Sequence, residues 1–305
     1  MTLNERITAL EERLRAADEH LSVKRNALMA RYTTLHLGGL ADILVSPDRP
    51  EQIPMVLKAA HELEVPVIVI GNGSNLLVRD GGIRGLVLRM CRDMQDIELR
   101  GNTIRAEAGT MMSTLSMAAA QANLAGLTFA SGIPGTVGGG VHMNAGAYGG
   151  EISHVCTHVT VMTRAGAIRE LTAAQMLFSY RHSAVMESGD IVISADFRLQ
   201  PKSTDEIRAV MKDLMGRRSA SQPLDLPSAG SAFKRPVGGY AGALIEQAGL
   251  KGFRVGNAAI STKHAGFAVN LGGATAADVK SLLQQVSDIV YEKSGIRLEP
   301  EVQIW

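Results

Sequence analysis

The fold of this 305-residue chain is decided by the stretch GIPGTVGGGVHMNAGAYGG, residues 132–150. Eight of its 19 residues are glycine, where the 32 glycines of the whole chain would place two in a stretch of that length. Glycine disfavours helices and strands because its backbone loses more conformational freedom on ordering than that of any other residue. We therefore expect an irregular segment whose bare backbone is approached closely by another group.

A second glycine-rich loop, GNGSN at residues 71–75, directly follows the apolar residues 65–70, which indicate a buried strand. A dinucleotide-binding Rossmann unit begins in the same way, but it needs a third glycine and a helix N-terminus for the pyrophosphate. Leu76 takes the place of that glycine, and residues 77–82 indicate a turn. The chain has no G-x-x-x-x-G-K-[ST] string, which excludes a P-loop. Two interpretations stay open: phosphate binding by bare N–H groups, or two tight turns.

Composition excludes several classes of protein. Hydrophobic residues make up 46% and charged residues 20%, the profile of a folded chain rather than of a disordered or fibrous one. The net charge is +1, so we expect no general attraction to nucleic acid or to a membrane surface. The sequence has no signal-peptide pattern and no apolar run of the ~20 residues that a membrane-spanning helix requires. With only two cysteines, Cys91 and Cys156, a cytoplasmic protein is expected.

Hydrophobic periodicity predicts helices and strands that alternate along the chain. Spacings of three and four residues predict a helix over residues 3–21, and α/β structure is expected over residues 40–110. Thr275 and Asp278 form a possible capping box at the start of a helix that Gly295 would stop. The predicted helices besides 3–21 are residues 50–63, 113–123, 204–217 and 275–294, and the predicted strands are residues 41–45, 65–70, 86–88, 97–99, 104–106, 155–162 and 191–194.

Few side chains indicate chemistry when they are taken alone. His154, Cys156 and His158 alternate on a predicted strand, but about 3.3 Å per residue separates the outer pair by roughly 13 Å, too far for one zinc ion. We therefore predict no metal site. Ser231, in the segment SAGSAFKRP, lacks the G-x-S-x-G pattern of a hydrolase and could equally be a turn residue. Arg181 could equally be a solvated side chain.

Taken in order, a series of short strings resembles the UDP-N-acetylenolpyruvoylglucosamine reductase family. Each string is weak alone, but their shared order and spacing extend over about residues 23–304 and make the match specific. The strings are RYTT (31–34) with GG-x-AD (38–42), GNGSNLL (71–77), GIPG (132–135) with VGG (137–139), NAGAYG (144–149), YR-x-S (180–183), QP (222–223), GS-x-FK (230–234), GLKG (249–252), KH (263–264) and LEPEV (298–302).

The resemblance implies an α+β protein with an FAD-binding fold of the vanillyl-alcohol-oxidase (PCMH) type. Two α/β lobes would span residues 31–199, after an N-terminal helical segment at residues 1–30. A smaller α+β substrate-binding domain would span residues 200–305. In this fold, loops rather than a helix terminus would hold the flavin, which accounts for the missing Rossmann features.

The resemblance also implies the cofactor and the substrates. NADPH is the co-substrate, and UDP-N-acetylglucosamine enolpyruvate is reduced to UDP-N-acetylmuramate in peptidoglycan precursor synthesis. We expect FAD to be bound non-covalently, because neither glycine-rich stretch has a histidine or cysteine positioned to form a bond to it. The implied cofactor-binding residues are Gly71, Asn72, Gly73, Ser74, Asn75, Gly132, Ile133, Pro134, Gly138, Gly139, Asn144 and Gly146.

Three residues match the catalytic positions of the family. Arg181 would stabilise charge that develops on the substrate carboxylate, and Ser231 would donate the proton. Glu301 would orient or polarise groups around the same carboxylate. We add the hypothesis that the positive charge of Lys234 eases the loss of the Ser231 proton. The implied substrate-binding residues are Tyr180, Gln222, Lys234, Arg235, Lys263 and His264.

Two departures from the family pattern are visible. Arg235 stands where some members have asparagine, and the segment between Arg198 and Ser231 is too short for the tyrosine-bearing lid of the longer family form. We therefore expect the shorter form, as a monomer or a weak homo-oligomer. The alternatives are another FAD-dependent oxidoreductase of the same fold that acts on a sugar or hydroxy acid, and a non-catalytic module that binds flavin or a nucleotide sugar.

Overall fold

Helices and strands alternate along the chain, as the hydrophobic patterning predicts. A computed structural model describes residues 1–91 and 93–305, which form eight α-helices and nineteen β-strands. The helices are α1 (Leu3–Ala17), α2 (Gln52–Glu62), α3 (Met112–Gln121), α4 (Val137–His142), α5 (Ala184–Ser188), α6 (Thr204–Ser221), α7 (Ala241–Gln247) and α8 (Ala276–Ser294).

The strands are short in most of the chain, and several pair over only two residues. They are β1 (Ser22–Leu28), β2 (Leu40–Ser46), β3 (Val67–Ile70), β4 (Leu76–Leu77), β5 (Ile83–Arg89), β6 (Ile97–Arg100), β7 (Thr103–Glu107), β8 (Leu124–Ala125), β9 (Gly146–Ala147), β10 (Gly150–Glu151), β11 (Cys156–Met162), β12 (Ile168–Thr172), β13 (Ile191–Arg198), β14 (Gln200–Pro201), β15 (Ser228–Ser231), β16 (Arg254–Val255), β17 (Ala258–Ile260), β18 (Phe267–Asn270) and β19 (Gln303–Ile304).

One compact unit comprises residues 1–25, 42–72 and 85–216. Its main sheet has the strand order β12-β11-β13-β7-β6 with every pair antiparallel, and α4 packs against β13. A second sheet has the order β1-β2-β5-β3, in which β3 and β5 are parallel. Helices α1 and α2 pack on each other, and their apolar faces join one hydrophobic core with the strands of this unit.

The second compact unit comprises residues 26–41, 73–84 and 217–305. Its antiparallel sheet has the order β15-β18-β17-β16, and α8 packs against the last three of these strands and against α7. Strands β4 and β19 form a separate parallel pair. Apolar side chains of α8 and of the sheet form the core of this unit.

The backbone N–H groups at the N-terminus of α8 have several hydrogen-bond acceptors. The predicted capping box is confirmed, since Thr275 Oγ1 accepts from the Asp278 N–H and Asp278 accepts from the Thr275 N–H. The two carboxylate oxygens of Asp80 accept from the N–H groups of Ala276 (2.8 Å) and Ala277 (3.0 Å). These contacts provide partners for N–H groups that a helix leaves open. Gly295 ends the helix in the left-handed conformation, as predicted.

The helix predicted over residues 3–21 is shorter than expected. It ends at Ala17, because Asp18 adopts an extended backbone and its side chain accepts hydrogen bonds from Arg49 (2.5 Å) and Gln52 (2.9 Å). The hydrogen bond from Gln52 is the largest of the effects that lower the pKa of Asp18. Leu21 is buried nonetheless, immediately before β1, which explains why its spacing imitates a helical position.

The prediction that His154 lies on a strand was wrong. His154 belongs to a 3-10 helix, Ile152–His154, and the strand begins only at Cys156. Burial raises the pKa of the Cys156 thiol to about 12, so that sulfur stays protonated. Within residues 1–91 and 93–305 no three His, Cys, Asp or Glu side chains are grouped to hold a metal ion. In the same residues no helix is both long and apolar enough to span a membrane.

Replacing Thr275 by alanine removes the hydroxyl that caps α8. Loss of such a cap costs about 1 kcal/mol, so Thr275→Ala should lower the free energy of unfolding in urea by about that amount. Ser281→Ala, which removes a hydroxyl further along the same helix, is the matched control. Equal losses for the two variants would show that the cap does not stabilise α8.

Candidate active site

The stretch 132–150 is more regular than its glycine content predicts. Thr136 caps a short helix, α4, and its Oγ1 accepts from the Gly139 N–H (3.4 Å). Two glycines let this helix pack closely: a Cβ at Gly138 would lie 2.9 Å from Ala108 Cβ, and one at Gly140 would lie 2.9 Å from Met112 Sδ. The expectation of an irregular segment was therefore wrong over α4, because helix packing uses these two glycines.

Gly139 differs from the glycines on either side of it. The nearest atom to a Cβ built there is Thr136 Oγ1 at 3.7 Å, so internal packing leaves room for a side chain. Alanine is also the better helix former, by up to ~1 kcal/mol. Neither packing nor helix propensity explains the glycine at 139, whereas an external group that approaches the backbone would.

The first half of the loop 71–75 lies against the segment that precedes α4. A Cβ at Gly71 would collide with Thr136 Oγ1, and Asn72 Nδ2 donates to the Pro134 carbonyl (2.7 Å). Cys91 Sγ donates in turn to Asn72 Oδ1 (3.6 Å). The two glycine-rich stretches that the sequence singled out are thus brought side by side, with Gly132 and Ile133 at the end of the 3-10 helix Thr128–Gly132.

The second half of the loop belongs to the second unit. Gly73 is left-handed (φ +64°), and the Tyr32 carbonyl occupies the space that its Cβ would need. Asn75 is anchored to the end of the chain: its Nδ2 donates to the Glu301 carbonyl (3.2 Å), and its own carbonyl accepts from the Gln303 N–H (3.0 Å). Ser74 between them is half-buried.

Residues 146–151 form a β-hairpin with a two-residue turn. Gly146 pairs with Glu151, and Tyr148 and Gly149 at the tip both have positive φ (+54° and +82°), as a type I′ turn requires. A Cβ at Gly146 would lie 2.8 Å from Glu151 Cβ, so this glycine serves the hairpin itself.

Arg181 lies on a tight turn between Ser179 and His182. Its backbone is left-handed (φ +56°), which is uncommon for a residue other than glycine. The guanidinium donates to the Gly146 carbonyl (3.4 Å) and lies over the Tyr180 ring, 5.1 Å from its centroid. Tyr180 is exposed beside it. The charge of Arg181 is therefore half-buried and held by the hairpin.

Ser231 and Glu301 are brought together in the second unit. The segment after Ser231 pairs with the segment before Glu301: the Glu301 N–H donates to the Ala232 carbonyl (2.9 Å), and the Lys234 N–H donates to the Glu299 carbonyl (2.8 Å). Within the described residues the exposed Ser231 hydroxyl has no hydrogen-bond partner. The hydroxyl can therefore donate to a bound molecule.

The basic residues predicted to bind substrate are held by neighbours in this unit. Lys234 Nζ lies 3.3 Å from a Glu299 carboxylate oxygen. The negative charge of Glu299 offsets the positive charge of Lys234, which weakens the effect that our hypothesis assigns to Lys234 on the Ser231 proton. Arg235 lies over the Tyr240 ring at 4.3 Å from its centroid.

Three further candidates lie near the end of α6 or in the turn before β18. Lys263 Nζ donates to the Ser219 carbonyl (2.5 Å). His264 packs edge-on against Phe267, and burial is the main reason that its pKa is lowered. Gln222 Oε1 is buried and lacks a hydrogen bond within the described residues, so an acceptor is left open there.

Thr136 is a structural residue of the candidate site that sequence reasoning missed. It is buried, caps α4 and lies against Gly71. A threonine directly before Val137-Gly138-Gly139 is a possible N-cap by its type. The density of glycine around it hid the helix that it begins.

Two family models match the chain. An FAD-binding domain matches residues 41–172, and the C-terminal domain of UDP-N-acetylenolpyruvoylglucosamine reductase matches residues 222–305. Their order along the chain is the order that the sequence resemblance implies.

Individual relatives extend over nearly the whole chain. The UDP-N-acetylenolpyruvoylglucosamine reductase of Levilactobacillus brevis is 49% identical over 284 residues, 93% of each chain. That of Clostridium novyi is 44% identical over 295 residues, 97% of this chain and 96% of the relative. The crystal structure of the Thermus caldophilus enzyme is 38% identical and has a TM-score of 0.81, covering 93% of this chain and 99% of that one. The predicted fold class is thereby confirmed, and the chain belongs to the UDP-N-acetylenolpyruvoylglucosamine reductase family.

Proposed function

We propose that Arg181, Ser231 and Glu301 carry out the chemistry of this reductase. The chain is an FAD-dependent oxidoreductase of peptidoglycan synthesis that reduces UDP-N-acetylglucosamine enolpyruvate to UDP-N-acetylmuramate with NADPH. The observation that carries the assignment of residues is the backbone pairing of residues 232–234 with residues 299–301, because it holds Ser231 next to Glu301.

One glycine in these stretches fits a flavin better than it fits the packing of the chain. Gly139 has room for a side chain yet carries none, whereas contacts within the chain already require the glycines at 71 and 73 of the neighbouring loop. We propose that these positions, together with Ser74 and residues 132–134, hold FAD. Bound FAD supplies hydride-carrying chemistry between NADPH and the enolpyruvyl group.

Arg181 is suited to stabilising negative charge. Hydride addition to the enolpyruvyl double bond shifts electron density toward the substrate carboxylate. A guanidinium remains protonated throughout, and a half-buried cation that is already fixed needs little reorganisation when the charge develops. The contacts with the Gly146 carbonyl and the Tyr180 ring provide that fixation.

Ser231 is suited to donating the proton that completes the reduction. Its exposed hydroxyl is open to a ligand, and the bulge at Gly230 (φ +76°) sets its direction in β15. Glu301, held beside it, would orient the hydroxyl or the substrate carboxylate. We further propose that Gln222 donates through its amide nitrogen or accepts through its open Oε1 on the substrate.

The remaining assignments are also proposals. We assign flavin binding to residues 31–199 and substrate binding to residues 200–305, with residues 1–30 as a helical segment. The matches to residues 41–172 and 222–305 support this division. A cytoplasmic location agrees with the use of NADPH and with two cysteines that form no disulfide with each other, and we also propose a monomer or weak homo-oligomer.

The activity is tested by the visible absorption spectrum of the purified protein without oxygen. NADPH should bleach the flavin absorbance, and UDP-N-acetylglucosamine enolpyruvate should then restore it. A colourless protein that fails to take up FAD would contradict the family assignment. Bleaching without recovery would instead favour another oxidoreductase of the same fold.

Gly139→Ala tests whether the flavin approaches the backbone of α4. The added methyl group has room within the protein, so the melting temperature should not fall, whereas affinity of the flavin-free protein for FAD should drop roughly tenfold or more. FAD fluorescence during titration measures the affinity. Gly138→Ala is the control, because its Cβ collides with Ala108 and should lower stability. Unchanged FAD affinity in Gly139→Ala would remove this glycine from the site.

Ser231→Ala tests the proton donor. Loss of a general acid typically slows a step by about 10²- to 10⁴-fold, so recovery of the flavin absorbance with substrate should slow to that extent. Bleaching by NADPH should keep its rate. Ser228→Ala on the same strand is the matched control and should leave both rates unchanged, since its known contact uses the backbone carbonyl. Equal slowing of both half-reactions by Ser231→Ala would rule out the proton-donor role.

A further inference from the structure

The turn that carries Arg181 needs external support. Ser179 and His182 exchange two backbone hydrogen bonds (3.2 and 3.1 Å), and Arg181 between them has φ +56°. A backbone of this kind persists where surrounding contacts hold it, and such positions cluster at functional sites. Ser183 contributes one contact, since its buried hydroxyl donates to the His142 carbonyl (2.7 Å).

Asn144 contributes a further contact, through a side chain that is entirely buried. Its Nδ2 donates to the Ser179 carbonyl (3.0 Å) and to Glu151 Oε1 (3.1 Å), and its Oδ1 accepts from the Ser153 N–H (2.9 Å). An asparagine amide has two N–H donors, and both are used within the protein. Asn144 therefore has no N–H left to donate to a cofactor.

Glu151 connects this asparagine with the guanidinium of Arg181. Its Oε1 also accepts from Ser153 Oγ (2.5 Å), and this hydrogen bond is the main reason that the pKa of Glu151 is lowered. The Asn144 amide and the charge of Arg181 lower that pKa further, so the carboxylate stays ionised. Glu151 pairs along the hairpin with Gly146, whose carbonyl accepts from the Arg181 guanidinium.

We propose that Asn144 is a positioning residue for Arg181 and not a flavin ligand. Its amide fixes the turn at Ser179 and the hairpin at Glu151, so the backbone and the guanidinium of Arg181 are held from two sides. The resemblance to the family groups Asn144 with the cofactor-binding residues, but the hydrogen bonds assign it to the arginine. The inference rests on the proposed role of Arg181 in substrate reduction.

Asn144→Gly tests the proposal with little added backbone strain. Asn144 is itself left-handed (φ +42°), a conformation that glycine adopts freely, so the change mainly removes the amide. We expect recovery of the flavin absorbance with substrate to slow about 10- to 100-fold, because small displacements of a catalytic group have effects of that size. Bleaching by NADPH and FAD affinity of the flavin-free protein should stay within about twofold.

Asn123→Gly is the matched control. Asn123 is also left-handed (φ +58°), and its Oδ1 accepts two hydrogen bonds from Thr204, remote in sequence from the catalytic residues. Its removal should lower the melting temperature and leave both half-reactions unchanged. A loss of FAD affinity in Asn144→Gly, or equal slowing of both half-reactions, would overturn the positioning role.

A double-mutant cycle with Arg181→Ala separates this inference from the proposed function. If Asn144 acts through Arg181, Asn144→Gly should slow substrate reduction no further in the Arg181→Ala background. Multiplicative slowing in the double variant would overturn the inference while leaving the role of Arg181 intact. An Arg181→Ala variant that reduces substrate at the normal rate would instead overturn the proposed function.

Discussion

The close approach of Gly71 to Thr136 is the constraint on which the first unit depends. No side chain fits between them, because a Cβ at 71 would collide with the threonine hydroxyl. The same hydroxyl accepts from the Gly139 N–H and so begins α4. One buried polar group thus sets the start of a helix and the path of a loop remote from it in sequence. These contacts within the chain hold the backbone of both stretches against each other.

The second unit holds Ser231, the proposed proton donor, close to Glu301, although the two residues lie far apart in sequence. Residues on either side of Ser231 and Glu301 form backbone hydrogen bonds, and Asn75 adds one from its own side chain to the Glu301 carbonyl. Backbone pairing fixes the separation of the two residues without using either side chain. The exposed Ser231 hydroxyl therefore remains available to a substrate.

Much of the fold could be predicted from local patterns. The capping box at Thr275, the stop at Gly295 and the alternation of helices and strands depend on neighbouring residues, which a sequence displays directly. One failure involves contacts remote in sequence. The end of α1 at Ala17 is set by the contacts of Asp18 with Arg49 and Gln52. These contacts cannot be predicted from the residues next to Asp18 in the sequence.

For the candidate site, the sequence names candidate residues but does not separate those that would contact a ligand from those that support the chain. Glycines 138, 139 and 140 are identical residues in one motif, yet their surroundings differ. A Cβ at 138 or 140 would lie too close to Ala108 or Met112, whereas a Cβ at 139 would have room. Asn144 lies in a motif that the resemblance associates with the cofactor, yet both of its N–H donors are used within the protein. A motif records which residues a site needs, whereas contacts separate those that touch a ligand from those that hold the ones that do. Arg181, with its left-handed backbone, needs such supporting residues, so part of a motif in the candidate site serves the chain itself.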